Sequence, residues 1–391
     1  QAGDGSGNAL CLMHHMDVVP ADQSRWTHDP FGGDIADGAI WGRGALDMKS
    51  LGVMHLWAFM AVADAVAAGK ANLKRDVLFV AVSDEEEGGG SGAAWLLENH
   101  RDAVACSELW TEGGSGVANA IPGVDVFACA TTEKSVVWIK ATATGKPGHG
   151  AIPPDDQATD KLFSFISKLR ARNRRYRLVD ETRVLYTNLA SRAAGIERAA
   201  LTMATGPRTS PVVLPLIARR LPPSQRALLS DLVTVTVLEA GYKSNVVPGK
   251  AAAVLDCRLL PDTDPDSFLE ECRRIAEDYD VEIEVLHKDS AGGVSRRGEL
   301  YAALERRCME SVPSAVFSST VSPGFTDSRF WRRAGASCLG LLPALIPGDV
   351  LASIHGDDER IPIEEFERGL SITRAVVEDL VVGPNPHLTP T

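Results

Sequence analysis

A chain of 391 residues, 45% hydrophobic and 24% charged, is long enough for two domains with separate cores. Its formal net charge of −12 excludes a nucleic-acid partner, because binding phosphate requires clustered Lys and Arg, and the one basic run, residues 170–177, reads as a solvated helix face. Seven cysteines (Cys11, Cys106, Cys129, Cys257, Cys272, Cys308 and Cys338) form neither the CxxC pairs of a thiolate zinc site nor a disulfide framework, and no apolar stretch reaches the roughly 18 residues of a membrane span.

The expectation is therefore a cytoplasmic protein with reduced cysteines and no membrane partner. A Gly-rich start (Gly3, Gly5, Gly7) without an initiator Met runs almost directly into the first strand, which leaves a lost signal peptide as the alternative.

In chain order, the patterns predict an apolar strand over 9–13, a helix over 50–68, a strand over 77–82 and a helix over 91–99. This is the rhythm of an α/β domain with a mixed, largely parallel sheet, whose chemistry gathers at the carboxyl ends of strands. From about Thr131 the pattern changes to an alternating strand over 135–144, a long helix after Asp156, and helical, Pro-rich material to about Val237. A strand over 251–260, a helix over 265–279 and a strand over 281–287 follow, the order of an α+β sandwich. The expected organisation is a first domain from 1–130 and 294–391, interrupted by a smaller α+β domain at 131–293. The Pro-rich tail after Gly383 is expected to fray.

Acidic and imidazole side chains cluster where strands should end. His15 and Asp17, two apart in extended chain, share a face, so the Asp17 carboxylate is placed to hydrogen-bond one His15 nitrogen while the other holds a metal. Asp47 follows a Gly-rich turn just before a helix, where a carboxylate is either a metal ligand or an ordinary N-cap. Asp84, Glu85, Glu86 and Glu87 crowd the end of an apolar strand and repel one another unless solvated or neutralised by cations. Glu112 also stands at a strand end, and His355 precedes Gly356, Asp357, Asp358 and Glu359. Imidazole plus carboxylate without thiolate suits a catalytic zinc, with cobalt or manganese as alternatives.

A rival pattern overlaps this one. Gly88-Gly89-Gly90-Ser91-Gly92-Ala93 matches the dinucleotide fingerprint G-x-G-x-x-A between a strand and a helix, yet a pyrophosphate there would lie beside four carboxylates. A silent binding protein on the same fold is the other alternative. The loss of a ligand or of Glu85 would mark it, and every position is filled.

Taken in order, His-x-Asp-Val-Val-Pro, Gly-Arg-Gly-x-x-Asp-Met-Lys, Asp-Glu-Glu-x-Gly-Gly, Glu-Gly-Gly and His-Gly-x-Asp-Glu-Arg closely resemble the M20 metallopeptidase family, over residues 10–361. Trp26, Asp29-Pro30-Phe31 and Trp41-Gly42-Arg43-Gly44 draw the similarity toward the branch of carboxypeptidase S and the N-acyl amino acid hydrolases. The resemblance implies a zinc-exopeptidase-like catalytic domain, an inserted lid and dimerisation domain, and further elements before the first strand. It implies a homodimer that hydrolyses the amide bond of small peptides or N-acyl amino acids bearing a free carboxylate. Two divalent metal ions would be bridged by Asp47, with His15 and Glu112 completing one and Glu86 and His355 the other. Glu85 would be the general base, and the peptide after Asp47 is often cis in the family. His149 would stabilise the oxyanion in the partner subunit's site, unless it is an ordinary turn histidine. Asn245 and Arg258 would anchor the substrate carboxylate, with an ion pair to Asp256 or Asp262 as the alternative for Arg258. Thr326 and Arg329 would belong to a substrate-side loop.

Overall fold

Strand β1, Leu10–His15, lies one in from the edge of the larger sheet: Leu10 and Leu12 face one apolar core and Cys11 and Met13 another, as the alternation of a strand requires. The structure, a computed structural model, describes residues 9–173 and 175–383, so the Gly-rich start and the tail after Gly383 lie outside the described residues. The strands that follow are β2 (Val77–Val82), β3 (Glu108–Ile121), β4 (Val124–Glu133), β5 (Ser135–Thr144), β6 (Gly148–His149) and β7 (Leu232–Ala240). Then come β8 (Val246–Val247), β9 (Lys250–Leu259), β10 (Val281–Asp289), β11 (Val316–Ser322) and β12 (Ser337–Pro347).

Six of these strands form a mixed sheet in the order β11-β4-β12-β3-β1-β2. It is largely parallel: β1 runs parallel to both β2 and β3, and β12 to β3, while β4 is antiparallel to β3 and β12. Three helices cover one face, α1 (Lys49–Ala67), α4 (Glu299–Ser311) and α5 (Ile363–Val381), through Met54, Ala58, Leu304 and Val376. α1 is apolar nearly all round. Leu51, Met54 and Val62 are buried in the core, whereas Val53, Trp57 and Met60 are each about half exposed. By length and composition α1 would suffice to cross a membrane, which corrects the expectation that no stretch qualifies; here one face is packed in the protein core.

The second sheet is antiparallel, in the order β7-β9-β5-β10. Val137, Ile139, Ala141 and Ala143 of β5 alternate onto one face, where helices α2 (Ala158–Asn173) and α3 (Pro265–Glu277) supply Leu162, Phe165, Phe268 and Ile275. Each such side chain taken out of water is worth roughly 1.5–3 kcal/mol. Asp264 caps α3 by accepting from the Ser267 amide at 2.8 Å.

Three features depart from the sequence expectation. Helical material was expected to about Val237, but Leu232–Ala240 is an edge strand, whose Val-Thr-Val-Thr-Val run is a β-branched signal. The helices Asp180–Arg192, Gly195–Thr205 and Ser210–Ala218, although they interrupt the second sheet in sequence, pack through Leu185, Leu189, Leu201 and Leu214 against Val124, Val126 and Val316 of the first. The basic run is not a free solvated face either. Arg170 donates to the Val233 carbonyl, Arg172 pairs with Glu271, and Arg177 bridges Asp231 and Asp262.

Candidate active site

The first-sheet candidates converge because β1 lies between β2 and β3, so the segments leaving these three strands meet. His15 ends β1, Glu85 and Glu86 follow β2, and Glu112 lies on β3. Asp47 precedes α1, and His355 stands in the turn before Arg360–Pro362, a strand that pairs with Ala39–Trp41. Glu112 is not at a strand end as expected, since β3 runs on to Ile121. Pairing with β1, however, stops at Trp110, and Gly113, at φ 115°, turns the strand there.

His15 is buried. Its Nδ1 donates to the Asp17 backbone carbonyl at 3.0 Å, and the Asp17 carboxylate lies farther off at 3.6 Å. The expectation that the carboxylate orients the ring is thus corrected: a carbonyl two residues on is already within reach, and the carboxylate instead accepts from the Glu86 amide at 3.1 Å. The other His15 nitrogen, Nε2, lies 3.1 Å from Asp47 Oδ1 and 3.6 Å from Glu112 Oε1. On the far side of Asp47, His355 Nε2 lies 3.1 Å from Oδ2 and 3.2 Å from Glu86 Oε2. One carboxylate thus stands between two imidazoles, each backed by a Glu.

The electrostatics follow from burial and crowding. Burial disfavours a charged His15, but Glu112 and Asp47 outweigh it and push its pKa up to about 12. Hydrogen bonds to Asp47 and Glu86 push His355 up to about 10. Burial works against the Asp47 carboxylate, yet the two histidines hold it well below the usual range. Glu112 is pushed up to about 8 by burial and by Asp47, and Glu85 is raised by burial and by the charges of Glu112 and Asp327. Such a surplus of buried acid is stable only when protons or cations share it. The donor set fits cations: His15, Glu85 and Glu112 form one group whose ligand atoms lie within 4.8 Å of one another, and His15, Asp47 and Glu86 another. Glu86 Oε1 and Asp17 Oδ1 are buried without a partner among the described residues.

Several supporting residues had no assigned role in the sequence. Glu359 is fully buried and accepts from Arg43 Nη1 (2.7 Å), the Gly44 amide (3.1 Å), the Leu46 amide (2.8 Å) and the Asp47 amide (3.1 Å), so it clamps the loop that carries Asp47. Asp47 is not an N-cap: Met48 occupies that position of α1, and the Asp47–Met48 peptide is cis. Asp327 is buried beside the loop after Glu85, both oxygens without a described partner, and burial pushes it up to about 7. Gly89, at φ 70°, permits this approach, since a Cβ there would fall 2.2 Å from Asp327 Oδ1. The Ser91 amide at the start of the next helix is already taken by Asp84 Oδ2 at 2.6 Å, which removes a donor the dinucleotide reading needs.

The remaining candidates have partners of their own among the described residues. Thr326 and Arg329 are buried and committed to protein partners: Thr326 Oγ1 donates to Glu133 at 2.8 Å, and Arg329 donates to Asp289 at 2.7 Å and to the Gly88 carbonyl at 2.6 Å. They brace the segments around the site, and Thr326 Cγ2 would lie 3.5 Å from a Cβ at Gly113, the neighbour of Glu112. His149 and Asn245 are exposed and adjacent, on the β6–β8 ladder, where Gly150 donates to the Asn245 carbonyl at 2.9 Å. The Ala151 amide donates to His149 Nδ1 at 3.1 Å, so in the neutral ring the proton sits on Nε2. Arg258 does form the ion pair with Asp256, and its guanidinium carbon lies 4.9 Å from the Phe325 ring centre.

Comparison with known proteins places this geometry in context. The family model described as peptidase family M20/M25/M40 matches residues 11–379. Aminoacylase-1 of Sus scrofa is 27% identical over 96% of this chain and 81% of its own length. The N-fatty-acyl-amino acid synthase/hydrolase of Xenopus tropicalis is 27% identical over 99% of this chain and 76% of its own length. Among solved structures, an M20 family metallo-carboxypeptidase from Sulfolobus solfataricus shares the fold with a TM-score of 0.68 at 16% identity, covering 96% of this chain and 85% of that one.

Proposed function

The chain belongs to peptidase family M20/M25/M40, and from that premise we propose that it cleaves the amide bond of a small peptide or N-acyl amino acid that carries a free carboxylate. The observation that carries this reading is Asp47 held between His15 and His355 at 3.1 Å on each side. Two divalent cations, zinc before cobalt or manganese, would be held with Asp47 between them, His15 and Glu112 on one side and Glu86 and His355 on the other. When bound, they would acidify a water and polarise the scissile carbonyl.

The protein's own groups do the rest. Glu85, buried beside the ligands, accepts the proton of the attacking water and passes it to the leaving amine; its raised affinity for a proton suits that exchange. His149 offers an Nε2–H donor for the oxyanion. His149 is exposed on the β6–β8 ladder, and following the family resemblance of its Gly-His-Gly segment we assign its action to a partner subunit's site. The exposed Val237 and Leu238 on edge strand β7, with exposed Tyr242 nearby, support a homodimer through this region. Asn245 and Arg258 would hold the substrate carboxylate.

The test is release of free amino acid from a panel of dipeptides and N-acyl amino acids. Release that stops with a chelator and returns with zinc is expected, and the preferred substrates identify the acyl side. Release indifferent to chelation, or none from metal-loaded protein, would sink the reading.

A further inference from the structure

A guanidinium offers a carboxylate two edges, each with two parallel N–H donors, and offers aromatic rings its faces. Asp256 and Arg258 are two apart on β9 and therefore share a face of the second sheet. Arg258 Nε donates to Asp256 Oδ1 at 2.8 Å and Nη2 to Oδ2 at 3.1 Å, so the side edge is closed by a bidentate pair. The Phe325 ring, its centre 4.9 Å from the Arg258 guanidinium carbon, also lies 4.7 Å from that of Arg329. What is left is the end edge, Nη1 with the second hydrogen of Nη2. The hydrogen bonds described for Arg258 use Nε and Nη2 alone, and its side chain is 21% exposed, which leaves this edge available to a ligand.

Phe325 also links the second sheet to the catalytic cluster. Two residues further on, Asp327 packs against Gly89 in the loop that carries Glu85 and Glu86, and Arg329, in the helix Ser328–Arg333 that begins just after it, donates to the Gly88 carbonyl. The 324–329 segment, a turn leading into that helix, thus reaches the Arg258 guanidinium at one end and the general-base loop at the other.

From this geometry we propose that Asp256 and Phe325 are positioning residues that aim the end edge of Arg258 at the substrate carboxylate and so set the preference for an acid over its carboxamide. The inference rests on the assignment of Arg258 under the proposed function. Asp256 closes one edge and Phe325 steadies one face; without either, the arginine swings among rotamers and loses the orientation a bidentate acid requires.

The experiment compares an N-acyl amino acid with its carboxamide as substrates of the zinc-loaded full chain carrying D256N, F325L, F325Y, R258A or D256N with R258A. D256N and F325L should each raise KM for the acid by about ten-fold, the scale of one charge-assisted hydrogen bond, with kcat within about two-fold and the carboxamide unaffected. F325Y, which keeps the ring face, should recover the KM that F325L loses, and D256N should add nothing once R258A is present. A lower KM for the acid in D256N would mean that Asp256 competes with substrate, and equal shifts for acid and carboxamide would mean a merely structural role; either overturns the proposal. If R258A leaves the ratio of acid to carboxamide unchanged, the Arg258 assignment itself has failed. Should D256N not fold, F325L and F325Y still decide the question.

Discussion

The two sheets treat their chemistry differently. At the first, His15, Asp47, Glu86, Glu112 and His355 come from five separate segments and still meet within hydrogen-bonding distance or slightly beyond it. On the second sheet Arg258 meets Phe325, and on the short β6–β8 ladder beside it His149 and Asn245 stand next to each other, with no hydrogen bond described between these three and the metal-ligand candidates. In the first case adjacency is built into strand pairing, since β1 is hydrogen-bonded to β2 and β3. In the second it depends on how one sheet is carried relative to the other, across the chain crossings at Glu133 to Ser135 and Asp289 to Ser295 and those flanking the 180–218 helices. A cluster fixed by ladders tolerates movement elsewhere; a residue delivered across a crossing depends on that movement or on a second chain.

Four tests would break or sharpen this contrast. The largest expected effect is at Glu85. Its replacement by Gln should cut turnover by roughly a hundred- to ten-thousand-fold, the usual share of a general base, with metal content near normal. Retained turnover would remove Glu85 from the mechanism. Next is Glu359→Ala, which leaves the buried Arg43 guanidinium unpaired and should cost about 3–5 kcal/mol of stability in denaturant titration. Metal retention should fall with it, because the Asp47 loop loses its clamp; normal stability and metal content would show that the loop holds itself.

On the β6–β8 ladder, His149→Ala should lower kcat by about a hundred- to a thousand-fold, the effect of losing one oxyanion donor, with little loss of metal. Mixing this variant with Glu85→Gln chains should restore part of the activity when the donor acts in a partner's site, whereas silence of the mixture would return His149 to its own chain. The smallest effect concerns the crossing itself. Lys134 is fully buried there, its Nζ donating to the Ser230 carbonyl at 2.8 Å, and burial pushes its pKa down to about 8 from the ordinary 10.5. Between those values the unfolded chain holds a proton that the folded chain has released, so stability rises with pH across that window. The rise attributable to Lys134 is at most about 3 kcal/mol and should vanish in Lys134→Met, read as the difference between the two chains' stability curves. Parallel curves would mean that Lys134 stays charged when buried.

The first sheet was the more legible region. Apolar runs predicted β1, β2 and α1 to within a few residues, because alternation and continuous hydrophobicity are local properties of a buried strand or helix. The Glu112 strand end and the Asp17 contact were misread for a common reason: each depended on which partner a side chain or a bend would find. Thr326 reaches Glu133 across 193 positions of sequence, and Glu359 reaches Arg43 across 316. No local pattern encodes such pairs.

By itself, then, the sequence determined the alternation of strands and helices, the acidic and imidazole motifs and their order, and through them the family. Tertiary structure alone decided that Glu359 holds the Asp47 loop, that the 180–218 helices pack on the first sheet, and that Asp256 closes one edge of Arg258. Local patterning follows from the chemistry of neighbouring residues along the chain, whereas ligand geometry and buried pairing depend on segments that meet only when the sheets close.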